Sequence, residues 1–262
     1  MATYLGWDCA NRTLAWSYVK VDTNIFSHMR EALDGVIDCV NMYVGADVTR
    51  RWAAGLYTQA DGAHLADCLA DDEFTHALLI SIQEASRVAG GLLTYKSAGV
   101  VDLLAGQKVA EVTEVGRTRA LWMFLTGHPI LSAPEPDTRV IIEHQPAKIG
   151  VSANNNSTVV SHNLVFYYIN YDPVFVDPKL KNKIHCASGM EYETYLRATT
   201  RKSAQDARYA ARKKHSKDNF LLMIRVLGHE HILAGIKSAV YDDLADSTMQ
   251  IIAYLVENKM FV

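Results

Sequence analysis

The sequence predicts an α/β protein built on a mixed β-sheet. Three features indicate this class: two strand-like segments near the start, an unbroken apolar run at residues 140–142, and long segments in which apolar residues recur at helical spacing. Strands come early and helices interleave later, an order typical of a mixed sheet covered by helices. At 262 residues the chain is long enough to bury a sizeable core.

The first two strands are predicted to form a hairpin. Residues 3–8 (TYLGWD) and 14–21 (LAWSYVKV) have strand-like composition and are joined by a short turn. The first of these strands ends in Asp8. From about residue 24 to residue 91 the apolar residues instead recur at three- and four-residue steps, which predicts helices.

The remaining elements are a mixture of strands and helices. Residues 100–104 are predicted to form a third strand, and residues 139–142 a buried strand that ends at Glu143. An Asn-rich loop is expected at residues 154–156 and a short strand at residues 173–176. Helices are predicted at residues 113–126, 157–169, 191–214, 219–227 and 242–257.

The composition is that of an ordinary globular protein. Hydrophobic residues make up 49% and charged residues 21%, and the net charge of -3 gives no overall sign of nucleic-acid binding. The cysteines include no C-x-x-C pair, which argues against zinc and disulfides and favours a reducing setting. No apolar stretch has the length of a membrane helix, and the start has no signal-peptide core. We therefore expect a soluble, intracellular protein.

Four carboxylates lie where a structural role explains them poorly. Glu143 directly follows a buried apolar run, although burying a charge is costly unless it is paired or bound to a cation. Asp8 ends the first strand. Asp243 and Asp246 are three residues apart at the start of the last predicted helix, on a face displaced from its apolar stripe. That face is therefore expected to look toward the strand ends.

Converging carboxylates repel one another and require a counter-charge. Hard oxygen ligands suit Mg²⁺ or Mn²⁺. Two such ions about 4 Å apart can activate a water and stabilise the leaving oxygen in phosphodiester cleavage. The aspartates also have ordinary explanations: Asp8 as a turn former, and Asp242, Asp243 and Asp246 as favourable charges at a helix N-terminus. Glu143, which follows three apolar residues, is harder to explain in this way. It is the combination that indicates a metal site.

The order and spacing of these acids resemble those of the RNase H-like superfamily, and specifically the RuvC-like Holliday junction resolvases. The segments IEHQ at residues 142–145 and DDLADS at residues 242–247 are most similar to the poxviral and yeast-mitochondrial branch. The resemblance covers both ends of the chain, at about residues 1–22 and 96–256.

The resemblance implies a fold and a site. The fold is a mixed five-stranded sheet flanked by helices, in a single domain over residues 1–262 with a helical insertion at about residues 24–95. Dimer contact and added DNA surface are both open as roles for the insertion. The cofactor is Mg²⁺, with Mn²⁺ able to substitute and two ions per site. The implied catalytic and metal-binding residues are Asp8, Glu143, Asp243 and Asp246, with Asp242 as an alternative to Asp243.

A basic segment precedes the last predicted helix. Residues 197–217 contain eight Lys or Arg and one Asp, so this segment carries +7 and the rest of the chain -10. On a helix its four arginines fall within about 60° of one another. Such a stripe is favourable against a polyanion, although a solvated helix face is the alternative. The predicted DNA-binding residues are Arg197, Arg201, Arg208, Arg212, Lys213, Lys214 and Lys217.

Polar residues near Glu143 are weaker candidates. His144 points to the opposite face of its strand, which favours packing, or support of the residues of the site, over an acid–base role. Gln145 shares the face of Glu143 and is a candidate for positioning DNA or water. The amides of residues 154–156 suit phosphate or sugar contacts, but a plain turn explains them equally well.

The leading hypothesis is a structure-selective endodeoxyribonuclease that resolves four-way DNA junctions by paired, symmetric, metal-dependent hydrolysis in DNA recombination, repair or replication. The two-fold symmetry of a junction favours a homodimer, and recognition of branched DNA rests on phosphate position and shape. One alternative is another RNase H-like nuclease that cuts RNA–DNA hybrids or flaps. A second is a nucleic-acid-binding protein that retains the fold without catalysis.

Overall fold

The structure is a computed structural model that describes residues 1–10, 12–22, 24–54, 56, 58–145, 152–183 and 204–258. The chain divides into two compact units. The first comprises Met1–Val21, Thr94–Arg225 and His229–Val262, and the second comprises Asp22–Leu93 and Val226–Gly228. The prediction of a single domain over residues 1–262 stays a prediction.

The first unit contains a five-stranded sheet of order β3-β2-β1-β4-β5. The strands are β1 (Ala2–Cys9), β2 (Thr13–Val21), β3 (Leu93–Asp102), β4 (Thr138–Glu143) and β5 (Val174–Val176). β1 pairs antiparallel with β2 and parallel with β4, and β4 pairs parallel with β5. This mixed sheet confirms the predicted α/β class and is consistent with an RNase H-like fold.

The helices flank the sheet in the first unit and make up most of the second. They are α1 (Ile25–Val44), α2 (Ala46–Ala53), α3 (Gln59–Leu69), α4 (Asp72–Gly90), α5 (Glu114–Gly127), α6 (Ser152–Tyr167), α7 (Ala204–Val226) and α8 (Tyr241–Glu257). A 3₁₀ helix at Pro178–Lys183 follows β5. No helix in the described part of the chain has the length and apolar character needed to cross a membrane.

One face of the sheet packs on α5 and α6. Trp7 and Ile142 lie in this core with Leu121 of α5 and Leu164 of α6, all fully buried. Successive side chains in a strand point to opposite faces, so the residues that follow Trp7 and Ile142 face the other side of the sheet. Those residues are Asp8 and Glu143, the two acids predicted at the strand ends.

The other face packs on α8, and Gly6 makes this close approach possible. A β-carbon at Gly6 would contact the backbone oxygen of Ser247 and lie 2.7 Å from Cγ1 of Ile251. The absence of a side chain therefore lets the N-terminal half of α8 lie directly on β1. The approach is secured by Ser17 of β2, whose hydroxyl lies 2.8 Å from that of Ser247 and 2.6 Å from that of Thr248.

α7 packs in turn on α8. Phe220 and Ile224 of α7 are buried against Leu244, Ala245 and Met249 of α8. Residues three and four apart on a helix lie on one face, so the residues one and two turns before Phe220 also face α8. This packing fixes which face of α7 is turned toward α8 and the strand ends.

The second unit contains α1 to α4. α1 packs along α4, and α3 contacts both. Asp61 of α3 and Thr58 form a capping box, in which each side chain accepts a hydrogen bond from the backbone N–H of the other. Arg51 pairs with the same carboxylate. The helical spacing predicted for this part of the chain is thereby confirmed.

Three sequence-based boundaries are wrong. The third strand begins at Leu93 rather than residue 100, because β3 is an edge strand whose half-buried side chains give a weak apolar signal. Residues 154–156 lie in α6, which begins at Ser152, rather than in a loop. The low helix propensity of Asn is a weak preference, and the structural context overrides it here. α7 runs unbroken through the predicted gap between residues 214 and 219, while residues 191–203 lie outside the described residues.

Candidate metal centre

Three of the four predicted acids converge at one edge of the sheet. Each of Asp8, Glu143 and Asp246 offers a carboxylate oxygen, and these three oxygens lie within 4.8 Å of one another. Asp8 and Asp246 are buried, and Glu143 is partly buried. They come from β1, β4 and α8, so residues far apart in the chain form one cluster, which we call the acidic triad.

The parallel pairing of β1 and β4 explains two of these positions. Trp7 lies opposite Ile142 in the register of this pair, so Asp8 and Glu143 follow side by side at the strand ends. Both point away from the α5–α6 core and toward α8 by the alternation of the strands. Asp246 lies one turn into α8, beside the residue that Gly6 accommodates, and so reaches the same edge.

Polar side chains hold Glu143 and Asp246 in place. Gln250, one turn along α8 from Asp246, donates to Oε2 of Glu143, and Gln145 donates to Oε1 at 3.3 Å. Ser216 of α7 donates to Oδ1 of Asp246 at 2.7 Å. Gln145 therefore shares the site with Glu143, as its position on the strand predicts.

Two lysine ammonium groups lie among the acids. Nζ of Lys181 is 3.2 Å from Oε2 of Glu143 and 3.1 Å from Oδ1 of Asp246. Nζ of Lys213 is 2.7 Å from Oδ2 of Asp246 and 3.5 Å from Oδ1 of Asp243. Lys181 is buried and comes from the 3₁₀ helix after β5. Each cation offsets part of the repulsion that the carboxylates exert on one another.

Asp243 lies beside the acidic triad rather than within it. Its Oδ2 accepts a 3.0 Å hydrogen bond from the Thr13 hydroxyl at the start of β2. Asp242 is more exposed, and its Oδ2 is 3.8 Å from Nζ of Lys213. Both acids thus face Lys213, and the choice between them as a metal ligand remains a prediction.

The electrostatics of the cluster distinguish its members. Burial, with the charges of Glu143 and Asp246, holds the pKa of Asp8 well above its usual value. Burial alone would also raise the pKa of Asp246, but Lys181 and Lys213 hold it below the usual value. Burial by itself would lower the pKa of each lysine, yet the carboxylates outweigh it and raise both. Of Asp8 and Asp246, Asp8 is therefore the acid whose buried charge the lysines offset less.

The acidic triad fits a divalent cation. Asp8 is a buried carboxylate whose side chain makes no hydrogen bond within the described part of the chain, and burying such a group is costly without a cation. Three hard oxygen donors at close range are the donor set that Mg²⁺ or Mn²⁺ prefers. Asp8, Glu143 and Asp246 are thus the residues that would hold an ion.

The predicted DNA-binding residues lie partly outside the described residues. Arg197 and Arg201 lie outside the described residues, and so do the side chains of Arg208 and Arg212. The three lysines that follow lie within α7. Lys213 faces the acids, Lys214 is exposed and lies 2.6 Å from Oδ2 of Asp218, and Lys217 is half-buried.

His144 does not join the site. Its ring lies 5.6 Å from the ring of Phe175, which in turn lies 5.6 Å from the ring of His162 on α6. These rings lie on the α6 side of the sheet, opposite Glu143. The packing role favoured by strand alternation is therefore what the structure shows.

Sequence reasoning missed two residues of the site, Lys181 and Ser216. Lys181 is one of three lysines in PKLKNK at residues 178–183, and no local pattern marks it as buried. Ser216 lies three residues after Lys213, on the face of α7 that meets α8. Its helical spacing from Lys213 is the one signal that links it to the site.

Comparison with known proteins bears on the same part of the chain. Residues 144–258 match the family model described as Poxvirus A22 protein. The resemblance to poxvirus-type resolvases is confirmed. The match to the poxvirus A22 family covers less than half of the chain, including Lys181, Lys213 and Asp246, and begins directly after Glu143. It supports a Holliday junction resolvase-type nuclease. No curated protein and no solved structure matches the chain.

Proposed function

We propose that this protein is a structure-selective endodeoxyribonuclease that resolves four-way DNA junctions by metal-dependent phosphodiester hydrolysis. The observation that carries the proposal is the convergence of Asp8, Glu143 and Asp246 within 4.8 Å in a chain whose residues 144–258 match the poxvirus A22 family. The role would lie in DNA recombination, repair or replication.

The residues of the site have distinct tasks in this proposal. Asp8, Glu143 and Asp246 would hold Mg²⁺ or Mn²⁺, with Asp243 or Asp242 completing a two-ion site. Bound ions would supply Lewis-acid activation of the attacking water and neutralise charge on the phosphate. Gln250 and Gln145 orient Glu143, and Ser216 orients Asp246. Lys213, which is more exposed than Lys181, would contact a phosphate of the DNA.

Junction resolution needs two incisions related by symmetry. We therefore infer a homodimer that presents two identical sites to a two-fold symmetric junction. Water would attack the phosphodiester in line and leave a 5'-phosphate and a 3'-hydroxyl. The arginines at residues 197, 201, 208 and 212, with Lys214 and Lys217, would contact the phosphates of the branched DNA.

A panel of substrates tests the proposal. Purified protein with Mg²⁺ is incubated with a four-way junction, an RNA–DNA hybrid, a flap and a linear duplex of matched sequence. Paired nicks at symmetric positions of the junction are expected, with little cleavage of the others. Cleavage confined to the hybrid or the flap would assign the same site to a different nuclease. Binding of the junction with no cleavage in Mg²⁺ or Mn²⁺ would indicate a binding protein instead.

A further inference from the structure

The carboxylates of the acidic triad differ in how they are already paired. Both oxygens of Glu143 and both oxygens of Asp246 accept hydrogen bonds or ion pairs from protein side chains. Asp8 accepts no hydrogen bond from the described residues. The two acids that a cation must share with Asp8 are therefore occupied by internal donors.

Lys181 has a special position among these donors. Its ammonium group contacts Oε2 of Glu143 and Oδ1 of Asp246 at nearly equal distances, 3.2 and 3.1 Å, and so bridges two of the three acids. Lys213 contacts one acid of the triad and otherwise faces Asp242 and Asp243. The side chain of Lys181 is only 9% exposed, against 21% for Lys213.

The buried ammonium group of Lys181 supplies positive charge where a divalent ion would otherwise supply it. It is held by the carboxylates it bridges, because an unpaired ammonium so far from water would be strongly disfavoured. It also keeps Glu143 and Asp246 together, although both carry negative charge. A divalent ion that takes the same oxygens must end these contacts, since the ammonium and the ion repel each other at this range.

We propose that Lys181 is the internal counter-ion of the acidic triad, and that a divalent cation must displace it to bind. The inference rests on the proposed function, because it takes these carboxylates to be cation ligands. Lys181 is a positioning residue in this account: it holds the ligands ready in the metal-free protein and lowers the apparent affinity for the ion. The fraction of molecules with the ammonium displaced limits that affinity.

Calorimetric titration of Mn²⁺ into EDTA-treated, dialysed protein without DNA tests the competition. Lys181→Met keeps the length of the side chain and removes its charge. We expect it to bind Mn²⁺ about tenfold more tightly than the wild type. Lys108→Met removes an exposed lysine that pairs with Glu111 rather than with the acidic triad, so it serves as the matched control and is expected to leave the affinity unchanged. Equal or weaker Mn²⁺ binding by Lys181→Met would overturn the inference.

Thermal unfolding tests the positioning role. Without metal, Lys181→Met should melt at a lower temperature than the wild type, because Glu143, Asp246 and Asp8 then repel one another with less compensation. Saturating Mn²⁺ should remove most of this difference. A deficit that is the same with and without Mn²⁺ would show that Lys181 contributes packing alone. If Lys181→Met does not fold, Lys181→Gln, which retains a hydrogen-bond donor, is measured in its place with the same expectations.

Junction cleavage by the same preparations separates this inference from the proposed function. Tighter Mn²⁺ binding by Lys181→Met, in a protein whose wild type cuts no junction, would support the inference and contradict the proposed function. Cleavage by the wild type, with no gain of Mn²⁺ affinity in the variant, would contradict the inference alone.

Discussion

The ammonium group of Lys213 donates a 2.7 Å hydrogen bond to Oδ2 of Asp246. The two residues come from helices α7 and α8, which pack through an apolar contact two to three turns further along α7. A lysine that the charge pattern assigns to a DNA-binding stripe is thus also part of the electrostatic balance of the acids.

Replacing Lys213 by Met should therefore affect stability as well as activity. The change leaves Asp246 buried with one cation fewer, and we expect it to lower the free energy of unfolding of the metal-free protein by about 3 kcal/mol. Urea denaturation followed by circular dichroism measures the loss. Cleavage of junction DNA should also fall strongly, because the ammonium beside the acids is removed.

The neighbouring lysine provides the control. Lys214 is exposed and pairs with Asp218 on the surface, so Lys214→Met should change the unfolding free energy by less than about 1 kcal/mol. Any effect of Lys214→Met should appear in DNA binding and should weaken as salt is raised. Equal losses of stability in the two variants would contradict the placement of Lys213.

Removing the charge of Asp8 and removing that of Asp246 should have different effects on the stability of the metal-free protein. Asp8 is buried among like charges, so Asp8→Asn should leave the metal-free protein as stable as the wild type or more stable by about 1 kcal/mol. Asp246 is held by two lysines, so Asp246→Asn should destabilise it by about 2 kcal/mol or more. Thermal unfolding in EDTA makes the comparison, and equal destabilisation by both would count against the cluster described.

Gly6 should tolerate no side chain. Gly6→Ala forces α8 away from β1, and we expect a loss of about 3 kcal/mol together with loss of cleavage, because α8 carries Asp246. Gly35→Ala, in a helix and with nothing within 4 Å of the added carbon, should be neutral or stabilising by up to about 1 kcal/mol. Chemical denaturation of both variants tests the pair; a Gly6→Ala protein as stable as the wild type would refute the close approach.

The second unit should lose stability in acid through Asp61. The hydrogen bond from Arg51, and then that from the Thr58 backbone, hold the pKa of Asp61 below its usual value. The folded state therefore binds this proton less readily than the unfolded state, so the contribution of Asp61 is present above the usual Asp pKa and declines as the pH falls below it. At pH 7, Asp61→Asn should have a lower melting temperature than the wild type. The difference in melting temperature should narrow as the pH falls toward 3. A difference independent of pH would contradict the pairing.

Part of this site follows from local sequence rules. Alternation along a strand puts Asp8 and Glu143 on one face once β1 and β4 are recognised, and the helical period puts Asp246 and Gln250 on one side of α8. The parallel pairing of the two strands then brings the carboxylates together. These steps depend on short-range periodicity, which the sequence displays directly.

Other features depend on packing that no local pattern encodes. Lys181 does not differ in sequence context from Lys179 and Lys183, and only the tertiary structure shows that Lys181 is buried beside the acids. A run of charges has the same helical spacing whether it faces solvent or acids, so the basic stripe did not reveal the inward direction of Lys213. The start of β3 has a weak sequence signal for a similar reason, because an edge strand carries few fully buried side chains.

Cleavage of a four-way junction by Asp8→Asn protein is the most direct test of the central claim, that the acidic triad holds the ions that drive hydrolysis. With Mg²⁺ and excess enzyme, we predict that the wild type makes paired nicks, and that Asp8→Asn cuts at least about 10³-fold more slowly while still binding the junction. Asp47→Asn, an exposed acid of α2, should cut like the wild type. Undiminished cleavage by Asp8→Asn would contradict the claim.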